Sequence, residues 1–271
     1  ADIALRLEPG DPAANLSLAQ MSLATGDVKA ARGHYRAILD VRPDNLPTLV
    51  QLARLEAREG NEEAMVAWLQ QAVNAHPAAL EPRLILARYY LSAGKPDQVA
   101  PLFATLSELQ RQAPPVLELT ALAQLSQREH GGARLTLEQL LEASPETAQY
   151  RYLLARAAGG AGDQATMEKE LLRAIELDPA HVPSLTALAR LAMVEQSPAD
   201  FDRYLETLIE LAPDTADVLG LQAYAARRDG DVTAASDLAQ RAFAPRPSSQ
   251  TVLELAAYQS AAGEKEQALK L

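Results

Sequence analysis

The 271-residue sequence predicts an all-α protein built from a tandem series of helix pairs. Three observations carry that expectation. Pro9, Pro43, Pro77, Pro145, Pro179, Pro213 and Pro247 fall on one grid of 34 residues, whose remaining point is Arg111. A period of that length is one supersecondary unit repeated along the chain. Within each repeat the apolar residues are spaced by three and four, the period of a buried helical stripe and not the alternation of a strand. The chain is 48% hydrophobic but only 4% aromatic, with Ala and Leu dominant, which favours helix over sandwich or barrel.

Full repeats run over 12–45, 46–79, 80–113, 114–147, 148–181, 182–215 and 216–249. Counted from the start of each, the seventh place holds Leu18, Leu52, Leu86, Leu154 and Leu188. The eighth is alanine throughout: Ala19, Ala53, Ala87, Ala121, Ala155, Ala189 and Ala223. A residue that small suits close approach between two helices. The first helix is expected to close at Gly26, Gly60, Gly94, Gly162 and Gly230, because glycine adopts positive φ without strain. Asp27, Asn61, Asp163, Ser197 and Asp231 follow as candidate N-caps, and Pro96 and Pro198 fit the first turn of a second helix.

That second helix carries its stripe at the twentieth, twenty-fourth and twenty-seventh places, for example Met65, Leu69 and Ala72, or Phe201, Leu205 and Leu208. The grid proline ends it, and Pro12, Pro47, Pro82, Pro115 and Pro183 lie in the first turn of the next helix. Residues 1–11 read as the tail of a second helix with Ala4 and Leu5 in core places, and 250–271 stop partway through another. Neither end shows the polar capping helix of a finished array, so the chain is expected to be a segment of a longer one.

Two repeats depart from the pattern. In 80–113, Pro101 falls inside the second helix, where a missing amide should kink or delay it. In 114–147 the expected glycine is Arg128, with Gly131 and Gly132 displaced a few residues on. Residues 96–132 are therefore the expected site of bending or early exchange.

Composition narrows the chemistry. With no cysteine, thiol catalysis, disulfides and cysteine-bound zinc are excluded. A formal charge of −11 argues against nucleic acid as partner, since displacing counterions needs cationic surface. No apolar run approaches the roughly 18 residues of a membrane helix, and Ala1–Arg6 lacks the basic and apolar regions of a secretory leader. His34, His76, His130 and His181 share no spacing that aims two imidazoles at one metal. Gly159-Gly160-Ala161-Gly162 lacks the lysine and preceding strand of a phosphate loop and coincides with the turn between helices. No enzyme activity, metal or cofactor is expected.

A 34-residue helix-turn-helix with a small eighth residue, glycine fifteenth, small twentieth and proline thirty-second resembles the tetratricopeptide repeat. The resemblance covers the whole chain. The family's tryptophan at the fourth place is absent; Asn15, Leu49, Arg83, Leu117, Arg151, Leu185 and Leu219 stand there. The resemblance implies an α-solenoid, a right-handed superhelix whose first helices line a concave groove through their second, fifth, ninth, twelfth and thirteenth places.

In that register Arg54, Arg88, Arg156 and Arg190 occupy ninth places, while Arg58, Arg227 and Arg228 occupy twelfth or thirteenth ones. Leu84, Tyr152 and Tyr224 lie between them, against acidic Glu81, Glu118 and Asp217 at second or fifth places. Arginine's planar fork suits carboxylate or phosphate. Either these arginines form an anion-receptive ladder, or each pairs with an acid of a neighbouring helix, as surface arginines commonly do. The lysine and asparagine with which chaperone-binding members of the family hold a peptide carboxylate are missing: no ninth place is asparagine, and the fifth places include Leu16, Val50 and Leu84.

The expected function is a non-catalytic scaffold that binds a protein or peptide in its groove. The alternative is direct binding of an acidic polysaccharide along the arginines, and a more remote one is regulation of an enzyme elsewhere in a longer chain. The texture of Leu84-Ile85-Leu86-Ala87-Arg88-Tyr89-Tyr90-Leu91 and Ala174-Ile175-Glu176-Leu177-Asp178-Pro179 resembles the exosortase (PEP-CTERM)-associated repeat lipoproteins of bacterial exopolysaccharide systems. That resemblance implies a periplasmic or outer-membrane-associated location in a Gram-negative bacterium, with the cytoplasm as the alternative.

Overall fold

A computed structural model describes residues 11–243, 249–261 and 263. The described elements are all helical, without a strand. They are α1 Pro12–Ala24, α2 Val28–Val41, α3 Leu46–Arg58, α4 Glu62–Ala75 and α5 Leu80–Ser92. A 3₁₀ turn Pro96–Gln98 leads into α6 Val99–Phe103 and α7 Glu108–Arg111, followed by α8 Pro114–Ser126 and α9 His130–Ala143. Then come α10 Ala148–Gly160, α11 Gln164–Leu177, α12 Val182–Val194, α13 Pro198–Leu211, α14 Ala216–Arg228, α15 Val232–Phe243 and α16 Ser249–Ala261. The expected helix tail at 1–10, Pro247 and the partial helix beyond 263 lie outside the described residues.

Each helix is where its punctuation puts it. All seven eighth-place alanines are buried, and with them Leu69, Leu137, Leu171 and Leu208 of the second helices, so within each repeat the first and second helices meet on a buried stripe. Burial of that stripe, more than intrinsic propensity, is what holds helices of 12 to 14 residues together. Among the candidate caps, the carboxylates of Asp27, Asp163 and Asp231 accept amide hydrogens from Ala30, Thr166 and Ala234. Asn61 and Ser197 do not cap. Asn61 instead donates to Glu56 at 2.8 Å, and the Ser197 hydroxyl bonds Asp200 at 2.7 Å. Glu56 is nearly buried; burial pushes its carboxyl up, but bonds from Arg32 and Asn61 hold it below the ordinary carboxylate range.

The chain divides into two compact units, Ala1–Ser144 and Pro145–Leu271. In the first unit, the second helix of repeat 80–113 is broken and not merely delayed. The 3₁₀ turn precedes Pro101, helix α6 ends at Phe103, and Ser107 recaps α7 with a reciprocal Ser107–Gln110 capping box. Val99, Phe103 and Leu106 nevertheless stay buried, so the stripe crosses the break. Repeat 114–147 corrects the other expectation. Arg128 itself takes the glycine's place at φ 61°, and Gly131 and Gly132 lie inside α9. Gln196 does the same in the second unit at φ 55°. Closure of the helical hairpin imposes this conformation on whatever residue stands fifteenth.

Candidate functional site

In the first unit, Arg54 on α3 donates to Glu81 on α5 at 2.7 Å, both side chains about half exposed. Arg88, one repeat further, is exposed and has no carboxylate partner among the described residues. Leu84 is half-buried against the core of the same helices. Arg58 is exposed and turned toward the preceding second helix, where its charge opposes the upward push that burial gives the Tyr35 phenol.

The second unit repeats the arrangement. Arg190 on α12 donates to Asp217 on α14 at 2.5 Å, again between exposed side chains. Arg156 on α10 has no such acid among the described residues, and its guanidinium lies 5.9 Å from the centroid of the Tyr152 ring. A single rule covers all four arginines. The two salt bridges each span 27 residues, from a ninth place to the second place of the next repeat. At the same offset from Arg88 and Arg156 stand Pro115 and Pro183, which have no acid to offer. Internal pairing thus holds for Arg54 and Arg190, and the second place of the next repeat decides whether an acid is offered.

Arg227 and Arg228 separate. Arg227 lies 5.5 Å from the Tyr258 ring centroid. Arg228 is drawn to the preceding second helix, pairing with Asp202 at 2.7 Å and Asp229 at 2.8 Å over the Phe201 ring. Those acids push its already high pKa higher still, Asp229 contributing most. Tyr224 packs edge-on against Phe201, with ring centroids 5.2 Å apart. These residues serve contact between repeats.

Sequence reasoning missed a cavity. On the groove side of the second unit, α10, α11, α12 and the start of α14 line an open cavity of about 690 Å³. Its walls are mainly apolar, including Met167, Val182, Pro183, Leu191 and Val194, with Tyr152, Arg190 and Asp217 at polar positions. Gly159, at the twelfth place, is among the lining residues, and the space beside its Cα is filled by the Met167 thioether. Val194 is 76% exposed at its edge. Tyr152 stacks edge-on against His181, whose imidazole is held below its usual pKa chiefly by burial. In the sequence, Gly159-Gly160-Ala161-Gly162 reads only as a turn and gives no sign of a cavity beside it.

The family model for the tetratricopeptide repeat matches residues 1–46, 84–146 and 118–182, more than half of the chain. The chain is a tetratricopeptide-repeat protein. Its backbone is similar to that of a tetratricopeptide repeat protein from Parabacteroides merdae, with TM-score 0.74 at 15% identity, over 92% of this chain and 98% of that one. It is also similar to the C-terminal part of a repeat protein from Cytophaga hutchinsonii, with TM-score 0.64 at 12% identity over 80% and 90% of the two chains. PilF of Pseudomonas aeruginosa gives TM-score 0.62 at 16% identity over 79% and 97%. At such identities the likeness is one of fold. No protein of curated function matches the sequence. Repeats of this family suggest a protein-interaction scaffold, and proteins of this fold are in general non-catalytic. Among the described residues no helix is long and apolar enough to cross a membrane, and no three histidine or acidic side chains gather as metal ligands would.

Proposed function

We propose that this protein binds an extended segment of a partner protein, and that the groove of its second unit is the receiving surface. The observation that carries this reading is the apolar cavity of about 690 Å³ lined from groove places of three successive first helices. Its size is that of sites that bury most of a small ligand. It is walled by aliphatic side chains and edged by a few polar ones, as a peptide's alternating character requires. The arginines argue against a continuous polysaccharide track, because Arg54 and Arg190 already hold acids.

We place this activity in the envelope of a Gram-negative bacterium, in exopolysaccharide assembly or export, on the resemblance of the repeats around 84–91 and 174–179. Photo-crosslinking tests both parts. Val194→p-benzoylphenylalanine in the native host should crosslink a specific envelope protein, while the same group at Ala180, on the exposed turn between repeats, should not. Crosslinks confined to cytoplasmic proteins would refute the location, and equal labelling from the two positions would refute the groove.

A further inference from the structure

We infer that the second place of each repeat sets whether the groove accepts an anion, and that the second unit therefore reads an acidic residue flanked by apolar ones. The inference rests on the peptide reading above and sharpens it. Arg54 and Arg190 meet Glu81 and Asp217 at an identical offset of 27 residues. Arg156 meets Pro183 there, so among the described residues no acid pairs with its charge, and it is exposed. Its guanidinium rests by Tyr152, and Tyr152 and Pro183 both line the apolar cavity. An unpaired arginine at the edge of an apolar cavity is complementary to a peptide whose Asp or Glu lies beside bulky apolar residues. Arg190, 2.5 Å from Asp217 at the same cavity, does not compete for that carboxylate. In this arrangement Pro183 is a specificity-determining residue through what it withholds: an acid there would pair with Arg156 and close the site to anions.

The test uses the whole chain on an array of paired octapeptides that differ only by Glu or Gln between Leu, Phe, Val or Tyr, with solution anisotropy on the best pair. The Glu peptide should bind about five- to tenfold tighter than its Gln twin, the scale of one exposed charge-assisted contact. Pro183→Glu should erase the preference for Glu over Gln, and Arg156→Gln should do the same. Asp217→Asn, by releasing Arg190, should widen it. Circular dichroism melts of each variant establish that the fold is intact. Equal binding of Glu and Gln peptides, or a preference untouched by Pro183→Glu, overturns the inference and leaves the peptide reading standing. Binding of polygalacturonate with no peptide binding at all overturns the peptide reading itself.

Discussion

Repeats 80–113 and 148–181 both carry arginine at the fourth place, and the two arginines hold different things. In the intact repeat, Arg151 donates to Glu146 at 2.9 Å and to Glu170, a nearly buried carboxylate of the second helix, at 2.8 Å. In the broken repeat, Arg83 is itself buried and pairs with no acid among the described residues. It donates to the carbonyl of Leu102, to that of Pro77 at 2.8 Å and to the Thr105 hydroxyl at 2.9 Å. Leu102 is in the last turn of the truncated α6, so the guanidinium satisfies a carbonyl that a longer helix would have used. Burial with no counter-charge pushes Arg83 below its ordinary pKa. The same residue type in the same register thus clamps two helices in one repeat and mends a helix end in the other. What differs is the partner, as it is for the ninth-place arginines.

Removing each arginine separates the two roles. Arg151→Met should have the largest effect, about 3 kcal/mol of lost stability, because Glu170 would stay buried without its counter-charge. Urea denaturation measures it, and Glu170→Gln in the same chain should restore most of the loss. If the double variant is no better than the single one, the clamp is not electrostatic.

Arg83→Met comes next, at about 1.5–3 kcal/mol for carbonyls left unsatisfied. The loss is smaller because Arg83 leaves its own Nε without a partner, and methionine relieves that burial. Hydrogen exchange should quicken over 96–111 while 148–177 is unchanged. Uniform acceleration in both repeats would show that the break is not a local structure.

A smaller change of opposite sign is expected at the hairpin turns. Arg128→Gly removes a side chain from φ 61° and should stabilise the first unit by about 0.5–1 kcal/mol. A lowered melting temperature would mean that Arg128 makes contacts that outweigh its strained backbone.

The smallest effect is a pH dependence. Hydrogen bonds from Arg173, then Arg151, hold the Glu146 carboxyl at about 2, against burial that pushes the other way. A depressed carboxylate contributes stability above its unfolded pKa, near 4.5, and loses that contribution as pH falls toward 2. The advantage of the wild type over Glu146→Gln should therefore be full at pH 6 and shrink progressively below pH 4.5 in matched denaturation curves. A gap that is constant down to pH 2.5 contradicts the assignment.

The fold was legible because it is written seven times over: one alanine per repeat and one stripe at fixed spacings survive any single lapse. Pro101 announced trouble in its helix, but the break after Phe103 also needed the capping box at Ser107, which a lone Ser-Glu-Leu-Gln does not declare. Arg128 and Gln196 were illegible as turn residues because their own preference is against positive φ; the packed hairpin overrides it. The arginine ladder was half legible. The ninth places stood out, while their fate depended on residues 27 positions on, where Glu81, Pro115, Pro183 and Asp217 differ. The cavity was missed because its walls come from three successive repeats, and Gly159 among them bears no side chain.

That missing side chain has a further consequence. A methyl group at position 159 would come within 2.5 Å of the Met167 sulfur. The thioether is unbranched and turns about three bonds, so it can swing aside and need not force α10 away from α11. Met167 also lines the cavity. The volume open to a ligand is therefore tunable by single substitutions at 159 or 167 while the helices keep their places. Relatives of this protein could diverge in what they hold without changing how they fold.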